Sequence, residues 1–76
     1  MPTVTVTVYR NGQPVKGCRV GLGVNPFDGV HGPEYTDYHG VAKFEVKHDE
    51  GGDVFVNGSP KGHWGASSAT DITVDL

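Results

Sequence analysis

One cysteine, one tryptophan and one methionine occur in 76 residues, and six Lys and Arg stand against nine Asp and Glu. Each scarcity excludes something. Cys18 has no partner for an internal disulfide, so the chain is not stapled as compact secreted scaffolds are, and a reducing compartment is the easier reading. A net charge of −3 with no basic run lacks the electrostatic footprint of a nucleic-acid binder. No apolar run nears the roughly 18 residues that span a bilayer, and no basic segment leads into one. A soluble chain without a membrane partner is expected, cytoplasmic by preference, or else a domain cut from a larger exported protein. At this length only about 60% of the unfolded surface is buried, which disfavours a deep catalytic cleft.

Glycine and proline, in contrast, are plentiful, 12 and 5 residues respectively. Together they far exceed the usual share of roughly 12% and punctuate helices, so short strands joined by turns are expected. Residues 3–9 alternate strictly, with Val4, Val6 and Val8 on one face and threonines on the other, the period of a half-buried strand. Asn11-Gly12 then signals a tight hairpin, because both residues accept positive φ. Residues 18–24 form a second strand with Cys18, Val20, Leu22 and Val24 inward. Its other face carries Gly21 and Gly23, which suggests a bulge or the close approach of another backbone.

Residues 25–34 show no periodicity and read as a long loop. A short strand around Tyr35-Thr36 leads into a turn at Asp37-Tyr38-His39-Gly40. Ala42, Phe44 and Val46 mark the next strand, and Val54 and Val56 a fifth over residues 53–57. Residues 58–70 read as a second long loop holding Trp64, before a last strand with Ile72, Val74 and Leu76 on one face. Six strands at this spacing predict a single all-β domain spanning residues 1–76, an antiparallel sandwich of six to seven short strands. The expected core is Val4, Val6, Val8, Val20, Leu22, Phe44, Val46, Val54, Val56, Ile72 and Val74.

The order of motifs resembles the carboxypeptidase regulatory-like domains. The carrying segments are residues 11–20 (NGQPVKGCRV), 36–44 (TDYHGVAKF) and 52–58 (GDVFVNG). The family pattern is roughly G-x-P-V-x-G-A-x-V, a TD-x-x-G turn into an F-x-V strand, and G-x-Y-x-V before a closing strand. Cys18 stands where the family usually has Ala, and Val54 where an aromatic residue is common. The resemblance implies a prealbumin-like, immunoglobulin-like Greek-key β-sandwich and a non-catalytic module that packs on a neighbouring domain or presents loops to a protein partner. It implies no catalytic residue and no cofactor. The hydroxyisourate hydrolase branch of the prealbumin group needs a C-terminal Tyr-Arg-Gly-Ser tail, whereas this chain ends Thr73-Val74-Asp75-Leu76.

Four histidines, His31, His39, His48 and His63, lie in or beside expected loops. If the connections are simple reversals, His39, His63 and Asp37 share one end and could hold a metal ion, while His31 approaches His48, Asp49 and Glu50 at the other. No H-x-x-x-H or C-x-x-C pair anchors either set, so solvated histidines are the plainer reading. Cys18, alternating with valines, reads as a small buried hydrophobe rather than a nucleophile. Trp64 either plugs the end of the sandwich with its indole on a loop carbonyl, or stands exposed as an anchor beside Tyr38. The expected role is therefore structural or protein-binding, through residues 37–40 and 58–70, with Tyr38, His39, His63 and Trp64 as binding residues, or through an edge strand. A metal- or ligand-binding role for the histidines is the alternative. Six short strands without a disulfide also predict self-association through an unpaired edge.

Overall fold

A computed structural model describes residues 2–25 and 29–76. The described chain contains eight strands and no helix: β1 (Thr3–Arg10), β2 (Gln13–Pro14), β3 (Arg19–Val24), β4 (Gly29–Tyr35), β5 (Val41–Glu45), β6 (Gly51–Val56), β7 (Ser59–Gly65) and β8 (Asp71–Asp75). No helix is long and apolar enough to cross a membrane. In the first sheet β1 is central, flanked by β5 and β2 on one side and β8 on the other; the second runs β4-β3-β6-β7.

The expected all-β character holds, and two expectations are corrected. The stretches 25–34 and 58–70, read as loops, contain β4 and β7; Pro26 lies outside the described residues. Neither strand shows apolar alternation, because each is an edge strand interrupted by proline, Pro33 in one and Pro60 in the other. Proline removes a ladder donor, and edge positions tolerate that loss. The second correction concerns direction. Antiparallel pairing holds everywhere except between β1 and β8, which run parallel in the register Thr5↔Asp71 to Tyr9↔Asp75. Alternation along residues 71–76 shows which face is buried but is the same for either direction of pairing.

Both Asn-Gly pairs turn tight hairpins. Asn11 and Gly12 have φ of 52° and 79°, and Asn57 and Gly58 have 52° and 84°, the left-handed pair that matches strand twist. The first joins Arg10 to Gln13 and the second joins Val56 to Ser59. Between β4 and β5, Gly40 at φ 75° lies so close to β1 that a Cβ would meet the Val8 carbonyl oxygen at 2.6 Å.

Side chains of both sheets fill one apolar cluster: Val4, Val6 and Val8 of β1, Ala42 and Phe44 of β5 and Val74 of β8 meet Val20, Leu22, Val24, Val54, Val56 and Trp64, with Val46 and Cys18 beside them. Eight side chains are essentially inaccessible, and seven of these are valine. Each contributes about 1.5–3 kcal/mol on burial, so a β-branched core of this size holds the two sheets together without a disulfide. Ile72 is the one expected core residue that remains only half-buried.

The single buried polar residue among those described is Thr36. Its Oγ1 accepts the Cys18 amide at 2.9 Å and donates to the Val15 carbonyl oxygen, tying the approach to β3 to the end of β4. Thr36→Val keeps the shape and orphans both partners. Urea unfolding is expected to show a loss of about 1–3 kcal/mol, the cost of leaving a buried amide unsatisfied; Thr36→Ser should retain most of the stability.

Candidate functional site

Trp64 on β7 lies opposite Gly52 of β6 and is 4% exposed. Its indole Nε1–H donates to the Gly23 carbonyl oxygen at 2.9 Å. The regular β3–β6 register runs from Val20↔Val56 to Leu22↔Val54, and the next bond between the two segments runs from the Asn25 amide to the Gly51 carbonyl oxygen at 2.9 Å, so the indole supplies a donor in the irregular stretch between them. Gly52 permits this approach, since a Cβ there would run into the same Gly23 carbonyl oxygen. The edge of the Trp64 ring meets His31 of β4, with centroids 6.1 Å apart and planes at 73°. The His31 Nε2 in turn pairs with Glu50 Oε1 at 2.8 Å, and the same oxygen accepts the Lys47 amide at 2.8 Å. Of the two readings of Trp64, the structure shows the plug, with the indole on a backbone carbonyl; the residue presents no ring to a partner.

The expected metal sets do not assemble. Asp37 is occupied by its own turn, with Oδ1 accepting the His39 amide at 2.8 Å and the Val41 amide at 3.1 Å. His63 pairs through Nδ1 with Asp53 at 2.9 Å, on the outer face of β6 and β7. It stands four residues along β7 from Ser59, where the strand leaves the Asn57-Gly58 turn, roughly 13 Å at strand rise. The strands β4 and β7 inside the expected loops changed the order of strand ends, and with it the juxtaposition of His39, His63 and Asp37. At the other end His31 does approach Glu50, while His48 and Asp49 remain exposed. Among the described residues no group of three or more His, Cys, Asp or Glu gathers as a metal site. Cys18 is buried in the core, as expected of a small hydrophobe.

Of the four expected binding residues only Trp64 is buried; Tyr38, His39 and His63 are exposed, and Tyr38, at 76%, has Lys16 Nζ 3.7 Å from its ring centroid. The other exposed large apolar side chains among the described residues are Val30 (67%) and Tyr35 (63%), both on β4. Sequence reasoning placed them in a loop and a short strand and gave them no role. Register pairs Val30 with Gly23 and Tyr35 with Arg19, so both stand on the outer face of the second sheet. Phe55 joins them, opposite Gly21 and Pro60. The Phe55 ring covers Gly23, where a Cβ would meet it at 2.8 Å. Between β3, β4 and β6 lies a hollow of about 230 Å³ lined by Arg19, Gly21, Val30, Pro33, Phe55 and Gly58. A half-open apolar hollow beside a guanidinium can hold one apolar side chain and pair with an anion. Typical small-molecule pockets hold about 300–1,000 Å³, so a cofactor-sized ligand does not suit it.

Comparison with family models, with curated proteins and with solved structures finds no match for this chain.

Two predictions follow from the Trp64 contact and its surroundings. Trp64→Phe removes the indole donor and is expected to lower stability by about 2–4 kcal/mol, the sum of an unsatisfied carbonyl and a partly empty site. Gly52→Ala should destabilise comparably while shifting Trp64 fluorescence to the red and opening it to acrylamide; the wild-type emission should be blue and protected. The second prediction concerns acid. The Lys47 amide and His31 hold the Glu50 carboxyl below its usual range, and the Val41 and His39 amides do the same for Asp37. A depressed folded-state pKa adds stability above the ordinary carboxylate value that is lost as pH falls through the lowered one. Thermal midpoints should therefore fall as pH drops below about 4.5, the ordinary Glu value, and Glu50→Gln should flatten part of that fall.

Proposed function

We propose that this chain is a non-catalytic β-sandwich module of the prealbumin-like, immunoglobulin-like kind, akin to the carboxypeptidase regulatory-like domains, and that it binds a protein partner. Two sheets sharing one core and repeated crossings between them, as from β4 to β5 and from β7 to β8, support the architecture. The observation that carries the function is the outer face of β4-β3-β6-β7. Val30 and Tyr35 stand more than 60% exposed there, and Val30 and the half-buried Phe55 line a hollow that no side chain of the described chain fills. Exposed apolar side chains gathered in this way mark interaction surfaces, and tyrosine is favoured at their energetic centres.

The face suits this role better than an edge. Edge strands β4 and β7 each lose a backbone donor to proline, and edge strand β8 is bracketed by Asp71 and Asp75, devices that discourage strand addition. Self-association through these three edges is disfavoured on the same ground. Tyr38 and Lys16 form a further exposed pair at the 37–40 turn.

The test is selection of binding peptides from a random display library on the immobilised domain, followed by mapping of backbone amide shifts. The reading expects shifts to cluster on Val30, Tyr35, Phe55 and Arg19, and Val30→Ser with Tyr35→Ser to weaken binding at least tenfold while leaving the thermal midpoint within a few degrees. Shifts confined to the 66–70 turn or to the exposed threonines of β1, or binding untouched by the double substitution, would overturn it.

A further inference from the structure

The two glycines on the outer face of β3 are not equivalent. Gly23 is required, because a Cβ there would strike the Phe55 ring at 2.8 Å. Gly21 is not. A Cβ at Gly21 would find only the His31 carbonyl oxygen and Val30 Cγ1, both at an ordinary 3.7 Å, and its φ lies outside the left-handed range. A glycine in mid-strand forgoes roughly 1 kcal/mol relative to residues that suit a pleated surface. At this position its effect is to leave the floor of the hollow open between Val30, Pro33 and Phe55.

Arg19 stands two residues before Gly21 on the same face, with its guanidinium against Gly58. The ion pairs among the described residues are His31 with Glu50 and His63 with Asp53, so no described carboxylate lies within 4 Å of Arg19, nor of any other described Lys or Arg. In a chain of net charge −3, an unpaired cation at the rim of an apolar hollow is complementary to an incoming anion. Alternate residues of an extended chain fall on one face about 6.8 Å apart, the spacing that separates Gly21 from Arg19 along β3.

Building on the binding role proposed for this face, we infer that the hollow takes an extended peptide segment with one large apolar residue seated over Gly21 and an acidic residue two positions away paired with Arg19. Arginine binds carboxylates through two parallel hydrogen bonds, which fixes the register of the apolar residue beside it. The hollow's volume accommodates a single side chain, so recognition consists of one anchor and one ion pair.

The probe is a blocked pentapeptide with central phenylalanine, an alanine on each side of it and aspartate at both ends, so that either chain direction offers the carboxylate. Titration followed by amide shifts should move Gly21, Phe55 and Gly58 saturably, with a dissociation constant in the high micromolar to millimolar range. Replacing both aspartates by asparagine, or Arg19 by Gln, should weaken binding about fivefold or more, and raising the salt should erase most of that difference. Replacing the central phenylalanine by alanine, or Gly21→Val to fill the floor, should abolish it; a thermal scan of Gly21→Val checks that the fold persists, and the peptide variants test the same point on the unaltered protein. Equal affinity of the aspartate and asparagine peptides, or saturation that leaves Gly21 and Gly58 unmoved, would overturn the inference. If display-selected peptides still shift Val30 and Tyr35 under that second outcome, the face remains a binding face and only its assigned ligand fails.

Discussion

The hydrogen bond from the Trp64 indole to the Gly23 carbonyl oxygen fixes how the second sheet is built. Strands β3 and β6 keep regular register as far as Leu22 and Val54, and the next backbone bond between them joins the Asn25 amide to the Gly51 carbonyl oxygen, with the Gly23 carbonyl lying in the irregular stretch between. Left without a donor there, that carbonyl would cost more than an ordinary hydrogen bond contributes, because burial removes its water. The indole meets that need from β7 and so links the far edge strand to β3 beneath β6. Gly52 follows from the geometry, since any side chain would block the approach, and His31 follows because it borders the ring that reaches β3. Glu50 then holds His31 and the turn at Lys47 with one oxygen. One donor thus organises four elements.

That arrangement explains why the core was largely legible in the sequence while two strands were not. Val4, Val6 and Val8 alternate with threonine because β1 is central and buries one face, and the same logic made Phe44, Val46, Val54 and Val56 readable. β4 and β7 are edge strands of sequence Gly-Val-His-Gly-Pro-Glu-Tyr and Ser-Pro-Lys-Gly-His-Trp-Gly. Their inward positions are filled by His31 and Trp64, which pack against each other and not in an aliphatic row, so no period of two appears. The Asn57-Gly58 pair was the available signal for β7. It has the same chemistry as Asn11-Gly12, and a hairpin requires a second strand after it.

The histidines illustrate the opposite failure. Their number and loop-like settings pointed to a shared site, yet contact between sequence-distant residues depends on strand order, which single-residue periodicity does not carry. Two unseen strands were enough to separate His63 from His39 and to pair it with Asp53. The expectation for His31 and Glu50 came closer because both flank the end that Trp64 closes, and there the histidine serves packing.

What the core does not use is concentrated in one place. A sequence that specifies its fold agrees with itself at each level, and departures from local rules gather where function makes demands. Here a mid-strand glycine with room for a side chain and a valine and a tyrosine turned to solvent stand together with Arg19 on the outer face of β3 and β4. Scattered over the surface, each would be ordinary. Filling Gly21 with a β-branched residue would cover Val30 and Phe55 and stabilise the strand, and nothing in the backbone prevents it. A small domain whose core is mostly valine has little stability to forgo, which makes an open hollow at that position more telling than in a larger protein. On the proposed reading, the same residues that leave the fold less stable are those that a bound segment would complete.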